Sequence, residues 1–154
     1  MTQLSAHFTL EEMIASQEAA RRGLDNTPPA DVLEHLTEMC AKLEDVRALL
    51  GRPILISSGY RSAQLNAAIG GATNSAHVLG YAVDFICPGF GPPLAVCQEI
   101  EKAGLRYDQL IHEYGAWTHL SFDPQARRES LRIFKDGRGY QIGLAAPPTS
   151  TQLG

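Results

Sequence analysis

Apolar residues recur at three- and four-residue steps between Ala30 and Leu50: Val32, Leu33, Leu36, Met39, Cys40, Leu43, Val46, Leu49 and Leu50. A helix gathers such positions on one face, so the spacing predicts one long amphipathic helix, stopped by Gly51. Upstream, Thr9-Leu-Glu-Glu12 has the T-x-x-E form of a capping box, with Phe8 placed as its staple residue. It opens a short helix expected to run to about Ala20. Asn26-Thr-Pro-Pro29 is a turn, from which Pro28 or Pro29 starts the long helix.

Beyond Gly51 the pattern changes period. Pro53 to Ser57 reads as a short buried strand leading into Ser58-Gly-Tyr-Arg61, and Ser62 to Ile69 as a short helix before the loop Gly70-Gly-Ala-Thr-Asn74. Tyr81 to Ile86 alternates as a strand. Leu94 to Ala103 is helical, with Gly104 as its stop. Gln109 to Tyr114 and Trp117 to Phe122 read as two strands of a hairpin joined at Gly115-Ala116, and Leu131 to Phe134 as the last strand. The expected fold is α+β: helices first, then a mainly antiparallel sheet with one covering helix. The body is expected to be a single domain over residues 1–144, with a disordered tail over 145–154.

Composition narrows the function. The 154 residues suit one domain, and 44% hydrophobic with 19% charged residues is ordinary globular usage. A net charge of −4 with no dense basic cluster argues against nucleic acid as a partner. No apolar run is long enough to span a membrane. The opening MTQLSAHFTLEEM lacks the charged and apolar regions of a secretory signal, so synthesis in the cytoplasm and export by another route are expected. Three cysteines without C-x-x-C spacing do not make a disulfide framework. Cys40 reads as a small core residue, and a monomer is the expected state.

The chemistry concentrates in Ser75-Ala-His77-Val-Leu-Gly80-Tyr-Ala82-Val-Asp84-Phe. If Ala82 to Asp84 is a strand and His77 lies on the preceding loop, the small residues Gly80 and Ala82 let both side chains converge on a metal. His119 is the natural third ligand, on a strand face shared with Trp117 and Ser121. The spacing alone leaves open a satisfied core histidine and a capping aspartate. His7 and His35 read as incidental, one before a helix and one on a helix's polar side.

This stretch resembles the S-x-H-x-x-G-x-A-x-D motif of the M15 zinc peptidases, which include D-alanyl-D-alanine carboxypeptidases, dipeptidases and phage endolysins. Ser58-Gly-Tyr-Arg61 upstream and Trp117-Thr-His119 downstream are similar in order, and the opening HFTLEEMIASQEAARRGLDNTP resembles the family's single-domain members. The resemblance implies an M15/hedgehog-like fold and a zinc ion (Zn2+) held by His77, Asp84 and His119. It implies that Arg61 clamps a substrate carboxylate, as a two-donor guanidinium suits, and that Ser75 hydrogen-bonds substrate. Read from residue type alone, Arg61 equally suits a loop salt bridge and Ser75 a loop cap. The implied activity is hydrolysis of peptidoglycan stem or cross-link amides, of endolysin type, with action in the periplasm or cell wall after release through a holin-type pore. The alternatives are a D-alanyl-D-alanine carboxypeptidase or dipeptidase, and a non-catalytic zinc domain binding murein, as hedgehog-type signalling domains use the fold.

One position departs from the pattern. The family's general base commonly lies three residues before the last histidine ligand, and here that residue is Ala116. The nearest carboxylate is Glu113. A two-residue connection at Gly115-Ala116 would turn His112 toward His119, whereas a three-residue connection, Gly115-Ala116-Trp117, would pair Glu113 with His119. Glu113 is the expected base. His112 is the second catalytic candidate, for orienting substrate or stabilising an oxyanion. Asp108 and Asp123 read as turn residues.

Overall fold

The apolar stripe between Ala30 and Leu50 forms the helix its spacing predicts, in a computed structural model that describes residues 1–148. This helix, α3 (Ala30–Leu50), buries Val32, Leu36, Met39, Cys40, Leu43, Val46 and Leu50. It stops where Gly51 turns left-handed at φ 66° and donates its N–H to the Arg47 carbonyl. Pro29 is its N-cap rather than its first helical residue.

The capping box at Thr9 is present in both halves: the Thr9 hydroxyl accepts from the Glu12 N–H, and the Glu12 carboxylate accepts from the Thr9 N–H. The helix it opens does not reach Ala20. α1 (Leu10–Ile14) ends at an extended Ala15, and Ser16 then caps a second helix, α2 (Gln17–Arg22), by accepting from the Ala19 N–H. Ser16 competes with helix continuation by bonding its own downstream backbone, which is why the segment splits.

The strands β1 (Leu55–Ser58), β2 (Ala82–Ile86), β3 (Gln109–Glu113), β4 (Trp117–Ser121), β5 (Glu129–Ile133) and β6 (Gln141–Ile142) form one mixed sheet in the order β1-β2-β4-β3-β5-β6. Every pairing is antiparallel except β3 with β5. β5 is therefore not the last strand. The two-residue β6 carries no readable alternation, and Ile142 is exposed. α4 (Ala63–Ala68) and α5 (Pro93–Lys102) follow β1 and β2.

One face of the sheet carries Val83, Phe85, Leu110 and Leu120 into a core shared with α3 and with Val96, Cys97 and Ile100 of α5. The other face carries Asp84, His119 and Glu113, because side chains alternate along each strand. Cys40, Cys87 and Cys97 are buried free thiols; burial pushes those of Cys40 and Cys97 up to about 12, which leaves both inert. Among the described residues no helix is long and apolar enough to cross a membrane. Of the tail expected to be disordered, Ala145 accepts a hydrogen bond from His112 Nδ1 at 3.0 Å, and residues 149–154 lie outside the described residues.

Candidate metal centre

Three segments converge on the face away from α3 and α5. Asp84 and His119 are direct partners in the β2–β4 register, and their side chains meet with His119 Nδ1 2.9 Å from Asp84 Oδ1. His77 comes from the loop before β2, its Nε2 3.3 Å from Asp84 Oδ2. One ligand atom from each of the three lies within 4.8 Å of the others. Tetrahedral zinc with bonds of about 2.0–2.2 Å needs ligand atoms roughly 3.3–3.6 Å apart, so small adjustments of these side chains bring the set into range. Two imidazoles and one carboxylate also match a catalytic zinc donor set that leaves a fourth position open.

The surrounding structure orients these ligands. The His77 ring lies with Nδ1 2.7 Å from the Gly59 carbonyl oxygen; an N–H donated there leaves Nε2 as the free nitrogen facing Asp84. Gly59 has to be glycine, because a Cβ at that position would stand 2.4 Å from the Met13 carbonyl oxygen of α1. Gly80 takes φ +79°, and a Cβ there would come within 3.0 Å of the Val32 side chain and carbonyl. The glycines of the two motifs are thus fixed by α1 and α3 pressing against the loops that present His77.

Burial opposes the charge on Asp84, but the His77 and His119 rings outweigh it and hold the carboxyl well below the usual range. Burial also lowers His77, whereas the bond to Asp84 overcomes burial at His119 and raises it.

Glu113 lies on the same sheet face, its Oε1 3.7 Å from His119 Nδ1. The hairpin uses a three-residue connection, but the residues are Tyr114-Gly115-Ala116. Glu113 therefore pairs with Trp117, and Ile111 with His119. Glu113 reaches His119 along the diagonal. Tyr114 and Gly115 both take positive φ, 58° and 66°, which this tight turn requires. Burial pushes the Glu113 carboxyl up to about 6, with the His119 charge opposing and the Asp84 charge adding to the rise.

His112 is not brought to this group. It pairs with Thr118 on the opposite face, is buried at 1% exposure, and meets the Phe134 ring edge-on with centroids 5.4 Å apart. The strand period that turns Glu113 toward His119 necessarily turns His112 away. Asp108 is held by Arg127, and Asp123 accepts from the Gln125 N–H in a turn.

Arg61 follows β1 and is tied to the metal loop by its N–H, which donates to the His77 carbonyl. Its Nη2 donates to Ser75 Oγ at 3.1 Å, while its buried Nε has no hydrogen-bond partner among the described residues. Burial lowers the Arg61 pKa, against the pull of the Asp84 and Glu113 charges. Ser75 also accepts from the His77 N–H at 3.2 Å, so it caps the metal loop and holds Arg61 together. A groove of about 630 Å³ opens from Asp84 and Arg61 past Ser57, Ser58 and Ile56 toward Glu18 and Arg21.

Two neighbours were not legible in the pattern. His35 stays outside the His77-Asp84-His119 group but has a structural part: its Nδ1 lies 2.7 Å from the Leu79 carbonyl oxygen and its ring stacks on Tyr81, 4.5 Å between centroids, which pins the loop carrying His77 to α3. Tyr140, before β6, is exposed yet close enough for the Glu113 and Asp84 charges to raise its hydroxyl along with burial. A polar residue on a helix face and a tyrosine in a glycine-rich turn carry no local signal of such partners.

No curated protein matches the chain. The model of the Peptidase M15 family matches residues 6–121, which include Arg61, Ser75, His77, Asp84, Glu113 and His119. A match over more than half the chain, spanning every residue of the His-Asp-His group, places the chain in the peptidase M15 family of hydrolases.

Proposed function

We propose that this peptidase is zinc-dependent and hydrolyses an amide in peptidoglycan peptide stems or cross-links, as an endolysin does. The observation that carries the reading is the convergence of His77, Asp84 and His119 with Glu113 on one sheet face. When bound by the two histidines and the aspartate, zinc supplies a Lewis acid for the scissile carbonyl. Burial holds the Glu113 carboxyl above the usual range, at about 6, and a bound zinc ion would favour its ionised form, which accepts a proton. Glu113 takes the proton of the attacking water as the water oxygen bonds to the carbonyl carbon. It then delivers that proton to the amine nitrogen as the C–N bond breaks.

Arg61, which lines the groove beside Asp84, holds a substrate carboxylate through its guanidinium, and Ser75 fixes the guanidinium for that task. The open groove beyond Arg61 has room for several residues of a peptide, which favours a bond inside the stem or cross-link over a terminal D-alanine. The substrate sets the place of action in the periplasm or cell wall, reached by a holin-type or other route.

Zymography on purified sacculi with the zinc-loaded protein tests the reading, and mass spectrometry of the released muropeptides names the bond. Clearing by the wild type and none by Glu113→Ala supports it. Release of D-alanine alone assigns a carboxypeptidase instead. Zinc and murein bound without any cleavage assigns a non-catalytic binding domain.

A further inference from the structure

Asn26 stands in the turn between α2 and α3, buried at 9% exposure and far in sequence from the His77, Asp84 and His119 group. Its side chain bonds only to backbone. Nδ2 donates to the Ile14 carbonyl at 2.8 Å and to the Tyr60 carbonyl at 3.1 Å, and Oδ1 accepts from the Ser62 N–H at 2.8 Å. Tyr60 and Ser62 are the two neighbours of Arg61. One amide therefore braces the chain on both sides of that arginine and ties it to the end of α1. The Tyr60 N–H donates to the Met13 carbonyl at 2.7 Å, so the same helix end is gripped twice.

The side-chain chemistry needed here is narrow. The site asks for two N–H donors and one acceptor at the reach of a single methylene. Aspartate keeps the acceptor and has no donor, serine offers one hydroxyl on a shorter stem, and glutamine reaches too far. Leaving the Tyr60 carbonyl and Ser62 N–H unpaired lets that backbone shift, and Arg61 shifts with it. A guanidinium held by one side-chain hydrogen bond, to Ser75, is sensitive to such a shift of its backbone.

We infer that Asn26 is a positioning residue for the substrate clamp: it sets the Tyr60–Ser62 backbone so that the Arg61 guanidinium faces the substrate carboxylate beside the metal ligands. This rests on the reading of Arg61 under Proposed function. The preference of the enzyme for a carboxylate-bearing substrate thus depends on a side chain that touches no substrate.

The test compares a murein stem peptide carrying free α-carboxylates with the same peptide amidated, using the zinc-loaded protein. Asn26→Asp raises KM for the carboxylate peptide by about tenfold while kcat, zinc content and KM for the amidated peptide stay near wild type. Asn26→Ser, uncharged and small, gives the same split should the aspartate variant not fold. If both peptides lose rate equally, or neither does, Asn26 is structural only and the inference is overturned. Arg61→Gln separates the two levels. Should it leave the carboxylate preference intact, the reading of Arg61 fails and the inference with it. Should it abolish the preference while the Asn26 variants retain it, the role of Asn26 alone is refuted.

Discussion

Glu113 Oε1 lies 3.7 Å from His119 Nδ1, although the two residues are diagonal rather than paired across the β3–β4 hairpin. The three-residue turn Tyr114-Gly115-Ala116 creates this relation, because it leaves both side chains on the face opposite the core. A carboxylate brought there by turn length can replace one at position 116. Glu113→Gln preserves shape and removes the proton acceptor, so kcat on murein peptides falls by about 10²–10⁴-fold. Zinc content stays at the wild-type level. Steady-state kinetics and metal analysis on one preparation check both, and undiminished activity sinks the assignment of the base.

His77 is buried and fixed by its contact with Gly59, and it is one of the three residues proposed to hold zinc. His77→Ala is expected to purify without stoichiometric zinc, as metal analysis reads directly. In the wild type a chelator lowers the thermal midpoint, because an ion that binds only the folded state stabilises it by mass action. The variant should show no such shift.

The convergence of His77 and Asp84 was legible because their motif sets the chemistry beside the small residues Gly80 and Ala82. The sequence exposed α3 because a helical period sustained over 21 residues is hard to mistake. The break between α1 and α2 turned on one hydroxyl, Ser16, within an otherwise helical stretch. His35 and Asn26 act on backbone groups 44 and 34 residues away, and nothing in their neighbours' identities encodes that distance. His112 and Glu113 were separable only once the hairpin register was known, since a shift of one residue in the turn exchanges their faces.

Gly80 gives a test of how the metal loop is held. Its φ of +79° and its closeness to Val32 penalise any side chain. Gly80→Ala is expected to cost about 1–3 kcal/mol from the backbone conformation alone. The relief of strain moves the His77 loop away from α3, so zinc affinity falls with stability. Urea unfolding and a zinc competition titration measure the two losses, and a stable variant of unchanged zinc affinity contradicts the role given to α3.

Asp108 gives a pH dependence set mainly by Arg127. Its buried carboxylate accepts from the Arg127 backbone N–H at 3.0 Å and from Nε and Nη2, each at 2.9 Å. The Arg127 bonds hold its carboxyl below the usual 3.8, with burial opposing. A group whose folded value is depressed stabilises the protein above its unfolded value, and that contribution is lost as pH falls through the folded value. Asp108→Asn keeps the size and loses the charge. Because Arg127 is half exposed, the variant is expected to be only about 1–2 kcal/mol less stable at pH 7. The gap should stay level down to the usual aspartate range and then close, so that the two urea-midpoint curves meet in acid. Subtracting the curves removes the acid sensitivity that Asp84 contributes to both proteins. A gap that persists unchanged into acid means that Arg127 does not stabilise the charged form of Asp108.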